Sequence, residues 1–490
     1  MTNEIRGVTD VDTFVQRFQT APEPGRPDLL SFLYNDHGNA ERLIAVYGED
    51  LRYCHAFRKW LVWDGMRWAV DDTDQARRLA KQAMLEFLRQ AIDRGGGEKT
   101  EKFARASLDA RRIGNTLSMA ECEIYVRPAD LDTDPYALNF LNGTVDLRTG
   151  EMREHRRSDF ITKLVRYRYT PAAECPQWIA FLDQVMGAGP KEASEAELDR
   201  SRRLVAYLRR ALGYSLTGTT IEKAVFIPFG TGDNGKSTML STFRHLVEEY
   251  SHLLQVDTLM VRQESNNTQA DLADLRGARF VQTSETEEGQ RLAQGKLKRI
   301  TQGMGKIKAT RKYENPIEFA ETHKLWMDTN RKPTIRDVDD KATFNRLHPI
   351  PFTVTIPKAQ IDKQLPDKLL GEAEGILAWA VEGARLWYAE GLGKPAEVEA
   401  AKEQWREDMD RLGRFIDERC VVGDGVRAGA SALYADYKQW ATDGGDRSML
   451  NSTTFGTKLT DRGFAKRHSE RGAVYIGIGL RASDQQSPGA

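Results

Sequence analysis

The chain has little cysteine, almost no net charge and no long apolar run, and each shortage removes a class of function. Its 490 residues include 4 cysteines, Cys54, Cys122, Cys175 and Cys420, far apart and without a CxxC pair. Neither a zinc ribbon nor a disulfide framework follows from that spacing. No stretch approaches the ~20 apolar residues of a membrane span, and the opening MTNEIRGVTDVDTF carries no apolar signal-peptide core. A cytoplasmic protein with reduced thiols and no membrane partner is expected. Lys and Arg number 71 against 72 Asp and Glu. Any surface for a polyanion must therefore be a local concentration of positive charge. No repeat of solenoid type is present.

A chain of this length exceeds one hydrophobic core, and its composition shifts mark domains. Residues 1–28, with APEPGRPD, read as a loosely ordered lead-in. Residues 29–190 read as a mostly helical domain carrying two hairpin signals. Asp64-Gly65 lies between Trp60-Leu-Val-Trp63 and Met-Arg-Trp68, and Asn142-Gly143 lies within 138–148. Both pairs favour a tight two-residue turn, and the three tryptophans suit a small core better than a base-stacking platform. The stretch Met186-GAGPKEASEAELD is a linker. Residues 191–395 alternate strand and helix patterns. Residues 400–482 read as three helices (405–418, 430–440, 453–462) and a terminal hairpin, the order of a winged helix. Residues 483–490 are expected to form a disordered tail.

The strongest motif is Gly230-Thr-Gly232-Asp-Asn234-Gly235-Lys236-Ser237-Thr238, which fits G-x-x-x-x-G-K-[ST]. A strand-like Ala224-Val-Phe-Ile-Pro-Phe229 precedes it and a helical pattern follows. Glycines let backbone N–H groups wrap around phosphates, and the helix presents its positive end to them. Lys236 is expected on the β- and γ-phosphates of ATP and the Ser237 hydroxyl on Mg2+. Pro228 fits the strand only if its ladder has already finished. A P-loop ATPase also needs carboxylates ending a second strand. The best candidate is Gly277-Ala-Arg-Phe-Val-Gln-Thr-Ser-Glu285-Thr-Glu287-Glu288, with Glu285 and Glu287 favoured and Glu285 expected to share the metal with Ser237. A solvated acidic turn is the alternative.

Downstream come Lys298-Arg-Ile-Thr301-Gln-Gly303, Lys306-Ile-Lys308-Ala-Thr-Arg311-Lys312, Trp326-Met-Asp-Thr329-Asn330-Arg-Lys332-Pro333 and Phe344-Asn-Arg346. In that order, behind the P-loop, these motifs resemble superfamily 3 (AAA+) helicases. More narrowly they resemble the phage and plasmid primase–helicase family, typified by satellite-phage replication proteins and the poxvirus primase–helicase. The resemblance implies a multidomain α/β chain: an N-terminal, mostly helical domain with hairpins, a central parallel-sheet motor and a C-terminal winged helix. It also implies that Asn330 is the polar sensor of the γ-phosphate and that Arg346 is an arginine finger reaching a neighbouring subunit's ATP, hence a homo-oligomeric ring, a hexamer. Gln302–Lys306 and Asn345 depart from the family pattern.

From Arg291 to Lys312 eight basic residues occur with no acidic one. The resemblance turns this run into a hairpin in the ring channel, with Lys306, Lys308, Arg311 and Lys312 tracking the phosphates of single-stranded DNA. A second basic cluster, Lys458, Arg462, Lys466, Arg467 and Arg471, suits duplex DNA or a protein equally. The expected activity is 3′ to 5′ DNA unwinding driven by ATP and Mg2+ in replication of a phage, plasmid or other mobile element, with a separate primase or loader as a further partner. Two other readings remain open. One is an initiator ATPase that assembles on DNA without unwinding it. The other is a combined primase–helicase, for which about 30 residues ahead of the helical domain are too few.

Overall fold

The computed structural model describes residues 27–188, 193–261, 271–283, 291–310, 317–443, 449–469 and 472–481. All but the last two residues of the expected lead-in, and the whole expected tail, lie outside these ranges. The chain forms two compact units, one of Met1–Pro333 with Asn345–Glu399, the other of Thr334–Phe344 with Ala400–Ala490.

The first unit opens with α1 (Asp36–Tyr47), the antiparallel sheet β1 (Leu51–Cys54), β2 (Lys59–Trp63), β3 (Trp68–Val70), and the helices α2 (Gln75–Asp93), α3 (Glu98–Ala106) and α4 (Ala110–Ala120). The β2–β3 connection corrects the two-residue expectation. Trp63 pairs with Trp68, so four residues turn, and Asp64 Oδ1 closes the loop by accepting from the N–H groups of Met66 and Arg67 at 2.8 Å each. A second antiparallel sheet joins β4 (Ala137–Phe140), β5 (Gly143–Asp146) and β6 (Met152–Arg153). Its tight turn is Leu141-Asn142, one residue earlier than Asn142-Gly143, because Phe140 pairs with Gly143. Helix α5 (Pro176–Met186) and the long α6 (Glu195–Leu216) follow. Ser194 starts α6 with a capping box, its hydroxyl accepting from Glu197 N while Glu197 accepts from Ser194 N.

The rest of this unit is built around a five-stranded sheet. Its strands are β7 (Val225–Phe229), β8 (Ser251–Leu254), β9 (Phe280–Thr283), β12 (Lys324–Met327) and β13 (Leu347–Pro351), in the order β13-β7-β12-β9-β8. Every pairing is parallel. Val225, Phe226, Ile227, Leu325, Trp326 and Leu347 are buried, as expected of strands covered on both faces. Helix α7 (Lys236–Leu246) follows β7 directly. Pro228 sits inside the strand rather than beyond it. On the β12 side the ladder ends at Phe226, and Pro228 O only accepts from Thr329 N at 3.3 Å. On the β13 side pairing runs on to Phe229. A missing N–H is tolerated where the ladder has stopped. Between β9 and β12 lie α8 (Gln294–Ile300) and the antiparallel hairpin β10 (Lys306–Ala309), β11 (Ile317–Ala320). After β13 come α10 (Leu365–Leu370) and the buried α11 (Ala373–Glu390).

The second unit holds the short α9 (Lys341–Phe344), the C-terminal part of α12 (Ala396–Met409), then α13 (Arg411–Arg419), β14 (Cys420–Gly429), α14 (Ala430–Asp443), α15 (Ser452–Asp461), β15 (Ala465–Ser469) and β16 (Gly472–Leu480). The helix expected over 405–418 is two helices. They break at Asp410, whose carboxylate caps Gly413 N at 2.9 Å. Strand β14 was not legible in the sequence. It pairs with β16 to give the sheet order β14-β16-β15, over a core of Leu412, Phe415, Leu433, Tyr437, Phe455, Leu459, Tyr475 and Ile478.

Candidate nucleotide site and the groups around it

The loop between β7 and α7 is shaped by two close approaches. A Cβ at Gly230 would stand 2.0 Å from Phe352 O, and one at Gly235, where φ is +82°, would stand 2.6 Å from Val185 Cγ1. Gly232 faces open space. Among the described residues, the N–H groups of Gly232, Asp233 and Gly235 find no acceptor. Unspent donors at a helix N-terminus suit an anion. Asn234 holds the loop from inside, its Nδ2 donating to the carbonyls of Thr231 and, at 3.3 Å, Phe352.

Lys236 is 3% exposed, and its ammonium donates to Gly230 O at 2.9 Å, Asn234 Oδ1 at 3.0 Å and Asn330 Oδ1 at 3.1 Å. A buried ammonium needs such oxygens. Ser237 and Thr238 lie in the first turn of α7. Ser237 Oγ donates to Asp328 Oδ2 at 2.6 Å. Asp328 follows β12 by one residue and is buried, so Asp328 and Asn330 both leave the same sheet edge as the loop. Sequence reasoning assigned Asp328 no role. Its signal is a carboxylate just past the buried four-residue strand Lys324-Leu-Trp-Met327 and two residues before Asn330. Ser237 and Asp328 offer two hard oxygens, a donor set that fits Mg2+, which keeps several waters of its own. Among the described residues no group of three or more His, Cys, Asp or Glu could hold a metal. Glu285 and Glu287 lie outside the described residues. Strand β9, which leads to them, ends at the buried Thr283, in register with Met327 of β12.

Arg346 is at the other end of the sheet. Its carbonyl accepts from Val225 N at 2.7 Å, at the start of β7, whereas the Gly230–Gly235 loop follows Phe229. Four strand steps of about 3.3 Å separate those edges. The Arg346 side chain instead donates through Nε to Thr301 O at 3.2 Å and Thr301 Oγ1 at 3.1 Å. The next two residues, Gln302 and Gly303, donate their N–H groups to Glu321 Oε2 at 3.0 and 3.3 Å. Glu321 is buried, and burial raises its carboxyl pKa to about 7 against the opposing pull of those N–H groups, Lys324 and Arg346. Lys324 is fully enclosed and held by the carbonyls of Thr217, Thr219 and Thr322. Burial lowers its pKa well below the usual range. Arg346 thus rests against the base of the β10–β11 hairpin, a neighbourhood that sequence spacing did not reveal.

On that hairpin Lys306 and Lys308 are exposed and alternate with buried Ile307 and Ala309, the pattern of a strand with one wet face. Glu318, opposite Lys308 in register, pairs with Lys306 at 2.9 Å. Arg311 and Lys312 lie outside the described residues. In the second unit Lys458 and Arg462 bind carboxylates rather than solvent. Lys466 and Arg467 are exposed on β15, and Arg471 lies outside the described residues.

Three family models match the chain in order: D5 N terminal like over residues 40–187, a family of unknown function (DUF5906) over 229–346, and Poxvirus D5 protein-like over 407–477. The middle match runs from the last residue of β7 to Arg346. The two D5 matches support a D5-like primase–helicase family. The chain is 25% identical over 331 residues to "Putative helicase L207/L206" of Acanthamoeba polyphaga mimivirus, covering 64% of this chain and 33% of the relative. It is 25% identical over 358 residues to "Putative helicase 121R" of Invertebrate iridescent virus 3, covering 65% of this chain and 37% of the relative. The chain therefore spans about a third of the length of these curated relatives. Among solved structures, the apo NrS-1 C terminal region is 12% identical, with 88% of this chain and 96% of that chain covered at a TM-score of 0.46. No helix among the described residues is long and apolar enough to cross a membrane.

Proposed function

We propose that this chain is the motor of an ATP-dependent DNA helicase that replicates a virus, phage, plasmid or other mobile element. We further propose that it works as a homo-oligomeric ring, a hexamer, translocating 3′ to 5′. The observation that carries the reading is the convergence, at one edge of an all-parallel sheet, of the Lys236 ammonium, the Asn330 amide, the Ser237 hydroxyl and the Asp328 carboxylate around a loop with unspent N–H donors. The relatives named as helicases point the same way.

In this reading the loop amides and Lys236 cradle the phosphates, and Asn330 exchanges its bond with Lys236 for one to the γ-phosphate or the attacking water. Ser237 and Asp328 would hold Mg2+, which would supply positive charge to neutralise the phosphates. Glu285 or Glu287 polarises the water. Arg346 cannot reach its own chain's loop from the opposite sheet edge, so its phosphate is a neighbour's. A finger supplied in that way adds about 10³–10⁵ in rate. Lys306, Lys308, Arg311 and Lys312 track a single strand without reading bases. The order α13–β14–α14–α15–β15–β16 supports a winged helix over residues 400–482, with the motor over 191–395 and the helical domain over 29–190. Its partners are DNA, further copies of itself and a separate primase or loader.

The test is ATP-dependent displacement from a forked duplex with a 3′ single-stranded arm, with Lys236→Ala in parallel. Displacement by wild type alone is the expected result. DNA-stimulated hydrolysis with no displacement on any fork would overturn the motor reading in favour of an ATP-switched initiator.

A further inference from the structure

The segment Thr334–Phe344 joins the sensor Asn330 to the finger Arg346 along the chain, yet it belongs to the second unit with residues 400–490. Salt bridges, a cation over a ring and burial hold it there. Lys458 of α15 binds Asp337 at 2.8 Å and Asp339 at 2.6 Å, with its own side chain only 12% exposed. Arg462, one turn further on at the end of α15, binds Asp410 at 2.5 Å and lies 3.9 Å from Asp339. Arg406 of α12 lies 6.0 Å from the centre of the Phe344 ring. Ile335, Val338, Thr343 and Phe344 are buried as well. A free surface loop has no need of such an anchor, since solvated carboxylates lose little by remaining in water.

We propose that Lys458 and Arg462 are positioning residues for ATP hydrolysis: by gripping Asp337 and Asp339 they hold the segment that joins Asn330 to Arg346. The inference rests on the motor reading and adds a regulator to the same site. The C-terminal unit is then a working part of the ATPase, and two cations of the basic cluster that suits duplex DNA or a protein equally are spent on that grip. Positioning matters here because a displacement of about 1 Å at a reacting group costs on the order of 10²-fold in rate.

The experiment measures steady-state ATP hydrolysis by the full chain with single-stranded DNA. It compares wild type, Lys236→Ala, Lys458→Met, Asp337→Asn with Asp339→Asn, and the exchange Lys458→Asp with Asp339→Lys. The expected result is a fall in kcat of about tenfold or more in both neutralised proteins, with KM for ATP within about twofold, scaled from the misplacement cost. The exchange restores most of the rate. A merely structural pair would lower the melting temperature without this kcat-against-KM split. Wild-type kcat in Lys458→Met overturns the inference, as does a loss confined to DNA affinity. So does an exchange protein that melts like wild type but stays slow. If wild type itself shows no hydrolysis that Lys236→Ala abolishes, the motor reading fails first, visibly, and the inference falls with it.

Discussion

Asp328→Asn is the perturbation that discriminates most sharply among the acidic residues. The substitution keeps the shape of a buried side chain and an oxygen for Ser237 Oγ, which lies 2.6 Å away, but removes the charge. Hydrogen bonds to a charged group contribute about 1.5–3 kcal/mol, and each 1.4 kcal/mol is about tenfold in an equilibrium constant. If Asp328 shares Mg2+ with Ser237, the apparent Mg2+ affinity weakens about 10- to 100-fold, and hydrolysis at low Mg2+ falls with it. Nucleotide binding without metal should change little, because Lys236 and the loop amides remain. The assay is an Mg2+ titration of ATP hydrolysis, with Glu285→Gln alongside. The two carboxylates should then separate. Asp328→Asn shifts the Mg2+ midpoint, whereas Glu285→Gln lowers the plateau, as befits a group acting on water. An unchanged midpoint in Asp328→Asn, together with a shifted one in Glu285→Gln, would refute this division of labour.

Lys236→Ala and Arg346→Ala should each be inactive alone, Arg346→Ala still binding nucleotide. Mixing the two proteins should restore part of the hydrolysis, because an intact Lys236 then meets an intact Arg346 across a subunit boundary; normal turnover by Arg346→Ala alone would remove its finger role. Burial raises the Glu321 pKa from 4.5 to about 7, so the folded state holds a proton that the unfolded state releases between those values. Glu321 therefore makes the protein less stable as pH rises from about 4.5 to 7, by on the order of 3 kcal/mol at most, and the cost is flat above that. Glu321→Gln should melt higher than wild type at pH 8 but not at pH 4.5, and equal melting at pH 8 would contradict the assignment. Lys308→Ala should weaken single-stranded DNA binding and flatten its logarithmic salt dependence by about 0.7 for each phosphate no longer neutralised; an unchanged slope would take Lys308 off the strand.

What the sequence disclosed, and what it hid, follows from the range of the interactions. The Gly230–Gly235 loop is local, since the strand before it, the glycines within it and the helix after it lie within about twenty residues, so its strand–loop–helix order was readable. The alternation of Lys306-Ile307-Lys308 is equally local and became a strand with one wet face. Strand β14 was not readable, because Cys420–Gly429 contains four glycines or acidic residues, and only pairing with β16 makes it a strand. Asp328 was overlooked for a related reason. Its importance is a distance of 2.6 Å to a hydroxyl 91 residues earlier, set by the parallel pairing of β12 with β7 rather than by any spacing along the chain. The contacts of Arg346 with Thr301, and of Lys458 with Asp337 and Asp339, span 45, 121 and 119 residues. Chemistry that depends on one loop can be read from composition and spacing. Chemistry that depends on communication between distant loops needs the fold, and in this chain the contacts of Arg346 with Thr301 and of Lys458 with Asp337 and Asp339 belong to the second kind.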